Sequence, residues 1–151
     1  MKKRYIVLIV IACILFYLLP IGFFAGIMVF DSMTYGQANV EIDSYRLCED
    51  KDGKDIIIVK YLLENNGKEA TCLYYESDIY VYQDGVSLTE VFELPEKCDY
   101  DGDDRDKQIK GGAKYYAEVA YELDDKEKPV EVEVTDYGFK DDLKTKTFEL
   151  K

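Results

Sequence analysis

Histidine is absent from all 151 residues. That absence removes Ser-His-Asp triads, Cys-His dyads and His-ligated zinc or iron from consideration. No Gly-rich phosphate loop and no dinucleotide fingerprint occurs anywhere in the chain. A pair of carboxylates is the hydrolytic device that remains, but among 31 Asp and Glu some pair must lie close by chance, so none is singled out. The chain therefore reads as non-enzymatic. Basic charge is also scarce, with 19 Lys and Arg against those 31 acids and a formal net charge of −12. Lys2, Lys3 and Arg4 precede every acidic residue, the first of which is Asp31. A field of this sign repels phosphate backbones, which excludes nucleic acid as a partner. Its plain reading is solubility and self-repulsion, and its sharper reading is attraction for cations or for a basic partner.

What the chain does have is one long apolar run. No charge interrupts it from Tyr5 to Phe30, and about 20 apolar residues cross a bilayer core as a helix. Lys2, Lys3 and Arg4 before the run and Asp31 after it place the N-terminus in the cytoplasm by the positive-inside bias. The expectation is a cytoplasmic tip over 1–4, a transmembrane helix or signal anchor over 5–30, a polar tether over 31–38 and an extracytoplasmic domain over 39–151. The chain would then be a single-pass protein of the cell membrane. Gly22 and Gly26 have the spacing of a helix-dimerisation face, which is weak as a signal. Two cleavage readings compete with the anchor. Gly36-Gln37-Ala38 has the small-x-small form of a signal-peptidase site, and Val10-Ile11-Ala12-Cys13 has the form of a lipobox. The apolar run is long for the first and continues well past Cys13 for the second. All three readings put the domain outside.

Beyond the tether the pattern is period-2 alternation broken by turn dipeptides, the signal of half-buried strands. Val130, Val132 and Val134 alternate with Glu131 and Glu133, which asks for one dry and one wet face. Tyr115, Ala117, Val119, Tyr121 and Leu123 form a similar series. Ile56 to Glu64 is apolar on both parities and reads as a central strand. Asp52-Gly53, Asn66-Gly67 and Asp84-Gly85 suit tight hairpin turns. With Val40–Cys48, Cys72–Gln83, Val86–Phe92 and Thr145–Leu150, this gives an all-β antiparallel sandwich of about seven strands.

Four segments carry a family likeness: Val59-Lys60-Tyr61-Leu62-Leu63-Glu64-Asn65-Asn66, Tyr82-Gln83-Asp84-Gly85-Val86-Ser87-Leu88, Ile109-Lys110-Gly111-Gly112-Ala113 and Val130-Glu131-Val132-Glu133-Val134. Through them the region from Val40 to Leu150 resembles the uncharacterised immunoglobulin-like domains of bacterial lipoproteins and membrane-anchored proteins, specifically domain of unknown function 5067. The resemblance implies an immunoglobulin-like sandwich and an exported location. It implies no catalytic residue.

Three constellations are candidate sites. The run Asp99-Tyr100-Asp101-Gly102-Asp103-Asp104-Arg105-Asp106 gathers hard oxygen ligands, so Asp99, Asp101, Asp103 and Asp106 are candidates for calcium, although the spacing is not that of an EF-hand. No other cofactor is expected, and a solvated loop is the bland alternative. Cys48, Cys72 and Cys98 lie in the exported part, where disulfides persist. Their odd number allows one internal pair. Cys72 with Cys98 is favoured because the two flank a hairpin, a closure worth roughly 3 kcal/mol. A bond from Cys48 is nearly as good, and zinc held by thiolates is a remote third option. Tyr74, Tyr80 and Tyr82 share one parity and are candidates for docking an envelope protein or glycan. Tyr is also an ordinary strand former.

Overall fold

The run that is apolar on both parities explains the architecture. In the computed structural model, which describes residues 38–137 and 143–150, both faces of this run are covered. The transmembrane helix expected over 5–30 lies outside the described residues. Among the described residues no helix is long and apolar enough to cross a membrane.

Eight strands follow in order: β1 (Ala38–Glu49), β2 (Asp55–Asn65), β3 (Ser77–Gln83), β4 (Val86–Ser87), β5 (Thr89–Val91), β6 (Lys114–Glu122), β7 (Val130–Asp136) and β8 (Leu143–Phe148). They form two four-stranded sheets, β1-β2-β6-β5 and β4-β3-β7-β8, in which every pairing is antiparallel. Ile57, Val59, Tyr61 and Leu63 of β2 meet Val81 of β3 and Val130, Val132 and Val134 of β7 in one core between the sheets. The alternating valines thus face inward while Glu131 and Glu133 between them face out, as a strand with one dry face requires. Ile56 and Ile58 point the other way and form a second, smaller core with Ala120 and Cys98.

The open side between β1 and β8 is closed by lysines. Lys146 donates to the carbonyls of Ile42 and Asp43, where β1 shifts register. Lys144 donates to the Val40 carbonyl and pairs with Asp136 at 2.6 Å. Charged side chains turned inward at an edge disfavour its extension by another strand.

Three expectations need correction. Val86–Phe92 is two strands rather than one. The chain changes sheets at Leu88, which is buried in the shared core with its N–H donated to Val81. The segment Cys72–Gln83 is strand only from Ser77, because Leu73–Glu76 forms a single helical turn, α1. Leu73 and Glu76 are buried and Tyr74 and Tyr75 exposed, a spacing of three that one turn of helix provides and a strand does not. Asn66-Gly67 makes no hairpin, since β2 is already paired on both sides, by β1 and β6, and the chain must cross to the other sheet. There Asn65 Oδ1 accepts from the Gly67 N–H at 2.9 Å. Asp52-Gly53 and Asp84-Gly85 do sit in hairpins, with Asp84 at φ 50° and Gly85 at φ 76°.

Candidate functional site

The connection from β5 to β6 lies over the outer face of the first sheet, and its residues help to line two hollows. Leu94, Cys98 and Tyr100 pack onto Ile56, Ile58 and Ala120. The connection contains two short 3-10 turns, Glu96–Cys98 and Asp104–Asp106. Two clamps hold it down. Arg46 of β1 donates to the carbonyls of Cys98 and Asp99 and pairs with Glu118 of β6 at 2.7 Å. The other clamp is a disulfide from Cys48 to Cys98, with 5.8 Å between the Cα atoms. The pairing of Cys72 with Cys98 is therefore corrected. Cys72 is fully buried at the start of α1 and keeps a free thiol, whereas Cys98 lies over the outer face of the first sheet, where Cys48 reaches it.

The acidic run does not gather its named carboxylates. Among the described residues no group of three or more His, Cys, Asp or Glu is placed to hold a metal. Asp99 contributes its backbone, in a left-handed conformation, to the contact with Arg46. Asp101 accepts the Asp103 N–H and meets Lys107 at 3.2 Å, and those two contacts, the backbone one first, hold its carboxyl below the usual range. Asp103 and Asp106 bracket the second 3-10 turn. The buried carboxylate is Asp104, which accepts from the Tyr115 hydroxyl at 2.6 Å, from Lys107 at 3.0 Å and from the Glu118 N–H. Lys107 thus stands between Asp101 and Asp104, and Tyr115 and these carboxylates raise its pKa. A hollow of about 420 Å³ beside it is lined by Glu96, Asp99, Tyr100, Asp101, Asp104 and Glu118.

The second hollow is aromatic. Tyr74 and Tyr75 on α1, Asp78 at the start of β3, Arg105 and Tyr137 enclose about 380 Å³. The two α1 rings meet edge to face at 5.4 Å, and each side chain is about half exposed. Arg105 reaches over the Tyr74 ring at 5.2 Å and pairs with Glu90 of β5 at 2.6 Å. The Tyr137 hydroxyl donates to Asp78. Of the three tyrosines expected on one strand face, the structure keeps Tyr80 and Tyr82 together, stacked at 6.2 Å, and moves Tyr74 to α1. Tyr75, Asp78, Arg105 and Tyr137 were not foreseen. Arg105 carried a usable signal, being the one cation within the run from Asp99 to Asp106.

The Asp78 carboxylate, by accepting a hydrogen bond from the Tyr137 hydroxyl, favours the neutral phenol and lifts its pKa to about 12, with partial burial adding to the shift. A raised acid pKa of this kind stabilises the fold fully below the unfolded value near 10, and the contribution is lost as pH rises through 12. Difference titration at 295 nm between the wild type and Tyr137→Phe should therefore show one phenol titrating near 12. In an Asp78→Ala background the same difference should move toward 10, and a midpoint unmoved by that change would refute the cause.

The family model for domain of unknown function DUF5067 matches residues 30–136. No curated protein is similar to the chain. Among solved structures, a predicted lipoprotein from Bacillus subtilis subsp. subtilis str. 168 is similar in fold, with a TM-score of 0.53 at 15% identity. The similarity covers 77% of this chain and 37% of that one, so the chain spans little more than a third of the length of its structural relative. The match over residues 30–136 takes in both clamps, the acidic connection and the strands from β1 to β7, and it establishes that the chain belongs to the DUF5067 family.

Proposed function

We propose that the chain is a non-enzymatic interaction module held outside the cell membrane by its N-terminal apolar segment, on an immunoglobulin-like sandwich. The observation that carries the binding role is the aromatic cleft of Tyr74, Tyr75 and Tyr137, whose rings stay exposed although the core has room for other tyrosines such as Tyr61 and Tyr121. Exposed aromatic clusters supply large, rigid contact area at little entropic cost. The outside location is supported by the Cys48–Cys98 bond, which a reducing cytosol would not maintain, and by likeness in fold to a predicted lipoprotein. The immunoglobulin-like reading draws support from strand order. With β1 to β8 lettered A, B, C, C′, D, E, F and G, the sheets read A-B-E-D and C′-C-F-G, an arrangement close to that of constant-type immunoglobulin domains.

Protease treatment of intact cells tests the location. The chain should be digested down to its N-terminal segment while a cytosolic marker survives. Protection until the cells are lysed would overturn the proposal.

A further inference from the structure

The outer face of the second sheet extends the aromatic cleft into a longer surface of a definite chemical kind. Its inward positions are Val81, Val130, Val132 and Val134, so the alternate residues face solvent. On β3 these are Asp78, Tyr80 and Tyr82. Tyr80 stands opposite Glu133 and Tyr82 opposite Glu131 on β7, and beyond those glutamates lie Thr145 and Thr147 of β8. Tyr137 continues the row at the cleft end, bonded to Asp78 and within electrostatic reach of both Tyr80 and Tyr74. Tyrosine faces and carboxylates thus alternate over one surface. The described residues offer these glutamates no cation: no Lys or Arg pairs with Glu131 or Glu133. Lys128 and Lys144, at the two ends of the sheet, are taken by Asp84 and Asp136, and Arg105 by Glu90.

Resting on the reading of the chain as an interaction module, we infer that this face docks a basic segment of a partner polypeptide, whose Lys or Arg side chains lie over Tyr80 and Tyr82 and between Glu131 and Glu133. Charge decides the class of occupant. A neutral ligand laid on this face would strip water from the glutamates without replacing it, which costs free energy, whereas a cation offsets that cost and gains the ring faces as well. Anionic partners are repelled both here and by the chain as a whole, at a formal net charge of −12. The partner lies on the face of the sheet rather than along its edge, because β4 spans only Val86–Ser87 and the lysines of β8 are turned inward onto β1.

The test is fluorescence anisotropy of a labelled octalysine peptide titrated with the full chain in nonionic detergent, with octaglutamate and a neutral chitin hexasaccharide as comparators. Octalysine should bind, and its affinity should fall as salt is raised. Tyr80→Ala with Tyr82→Ala, and separately Glu131→Gln with Glu133→Gln, should each weaken it roughly tenfold. Asp52→Asn with Glu93→Gln removes the same charge from exposed positions elsewhere and should change it by less than about twofold. Equal losses in the two charge-neutralised proteins would overturn the inference, because attraction would then be diffuse. It would equally be overturned by hexasaccharide binding that depends on Tyr80 and Tyr82 while octalysine is indifferent to them, or by no octalysine binding at low salt. Circular dichroism confirms that each variant is folded. The peptide result stands whatever the protease experiment finds, so a failure of docking and a failure of the proposed location are separable.

Discussion

Loss of the Cys48–Cys98 bond should destabilise the domain by about 4 kcal/mol, the chain-entropy value for closing a loop of this size, the two cysteines being 50 positions apart. For a domain near 100 residues that corresponds to a fall in Tm of roughly 15 °C. The bond stabilises for a local reason as well. It holds the connection between β5 and β6 over Ile56, Ile58 and Ala120, which otherwise form an apolar strip on the outer face of the first sheet. Near Cys98, Arg46 would then be left to hold that cover, through the Cys98 and Asp99 carbonyls. The wild type melted with a thiol reductant and Cys98→Ala melted without it should agree, both below the untreated wild type by that amount. Cys72→Ala is the control: its melt should still drop on reduction, since the free thiol at the start of α1 takes no part in the bond. A wild-type melt indifferent to reductant would show that the bond contributes nothing.

The disulfide also marks the boundary of what the sequence discloses. Alternation revealed Val130, Val132 and Val134 because each position on a strand answers to its own face, and the face repeats every second residue. The double-sided apolar run of β2 was equally legible as a central strand. Its second cover was not, because nothing local says whether Ile56 and Ile58 meet another sheet or a loop folded back over them. The pairing of Cys98 depends on that same long-range fact. Local signals failed in a different way at Tyr74 and Tyr75. Tyrosine suits a strand, and only the burial of Leu73 and Glu76, three residues apart, turns the backbone into α1. The aromatic cleft follows from that turn together with Arg105 and Tyr137, which are distant in sequence. Paired acids were legible as an acidic run, yet their division of labour was not. The buried carboxylate is Asp104, singled out by Tyr115 and Lys107 and by no feature of spacing.

Within that run the most sensitive position is expected to be a glycine. A methyl group on Gly102 would overlap the carbonyl oxygen of Phe92 and stand 3.1 Å from its carbonyl carbon. Both are backbone atoms, which cannot swing aside as a flexible side chain would. Phe92 directly follows β5, so relief of the overlap must displace either that strand end or the acidic connection. Moving the connection pulls Asp104 away from Tyr115, Lys107 and the Glu118 N–H, leaving partly buried polar groups without partners. Gly102→Ala should therefore cost about 3 kcal/mol, by overpacking and lost polar pairing together. Gly53→Ala offers the contrast, because that glycine has φ +82° with nothing near its absent side chain. Its cost is conformational alone, about 1 kcal/mol. Denaturant titrations of the two proteins should separate them clearly, with the larger loss at Gly102. If Gly102→Ala matched or outlasted Gly53→Ala, the close approach of the acidic connection to Phe92 would not constrain the fold, and the connection would be free to leave the sheet it covers.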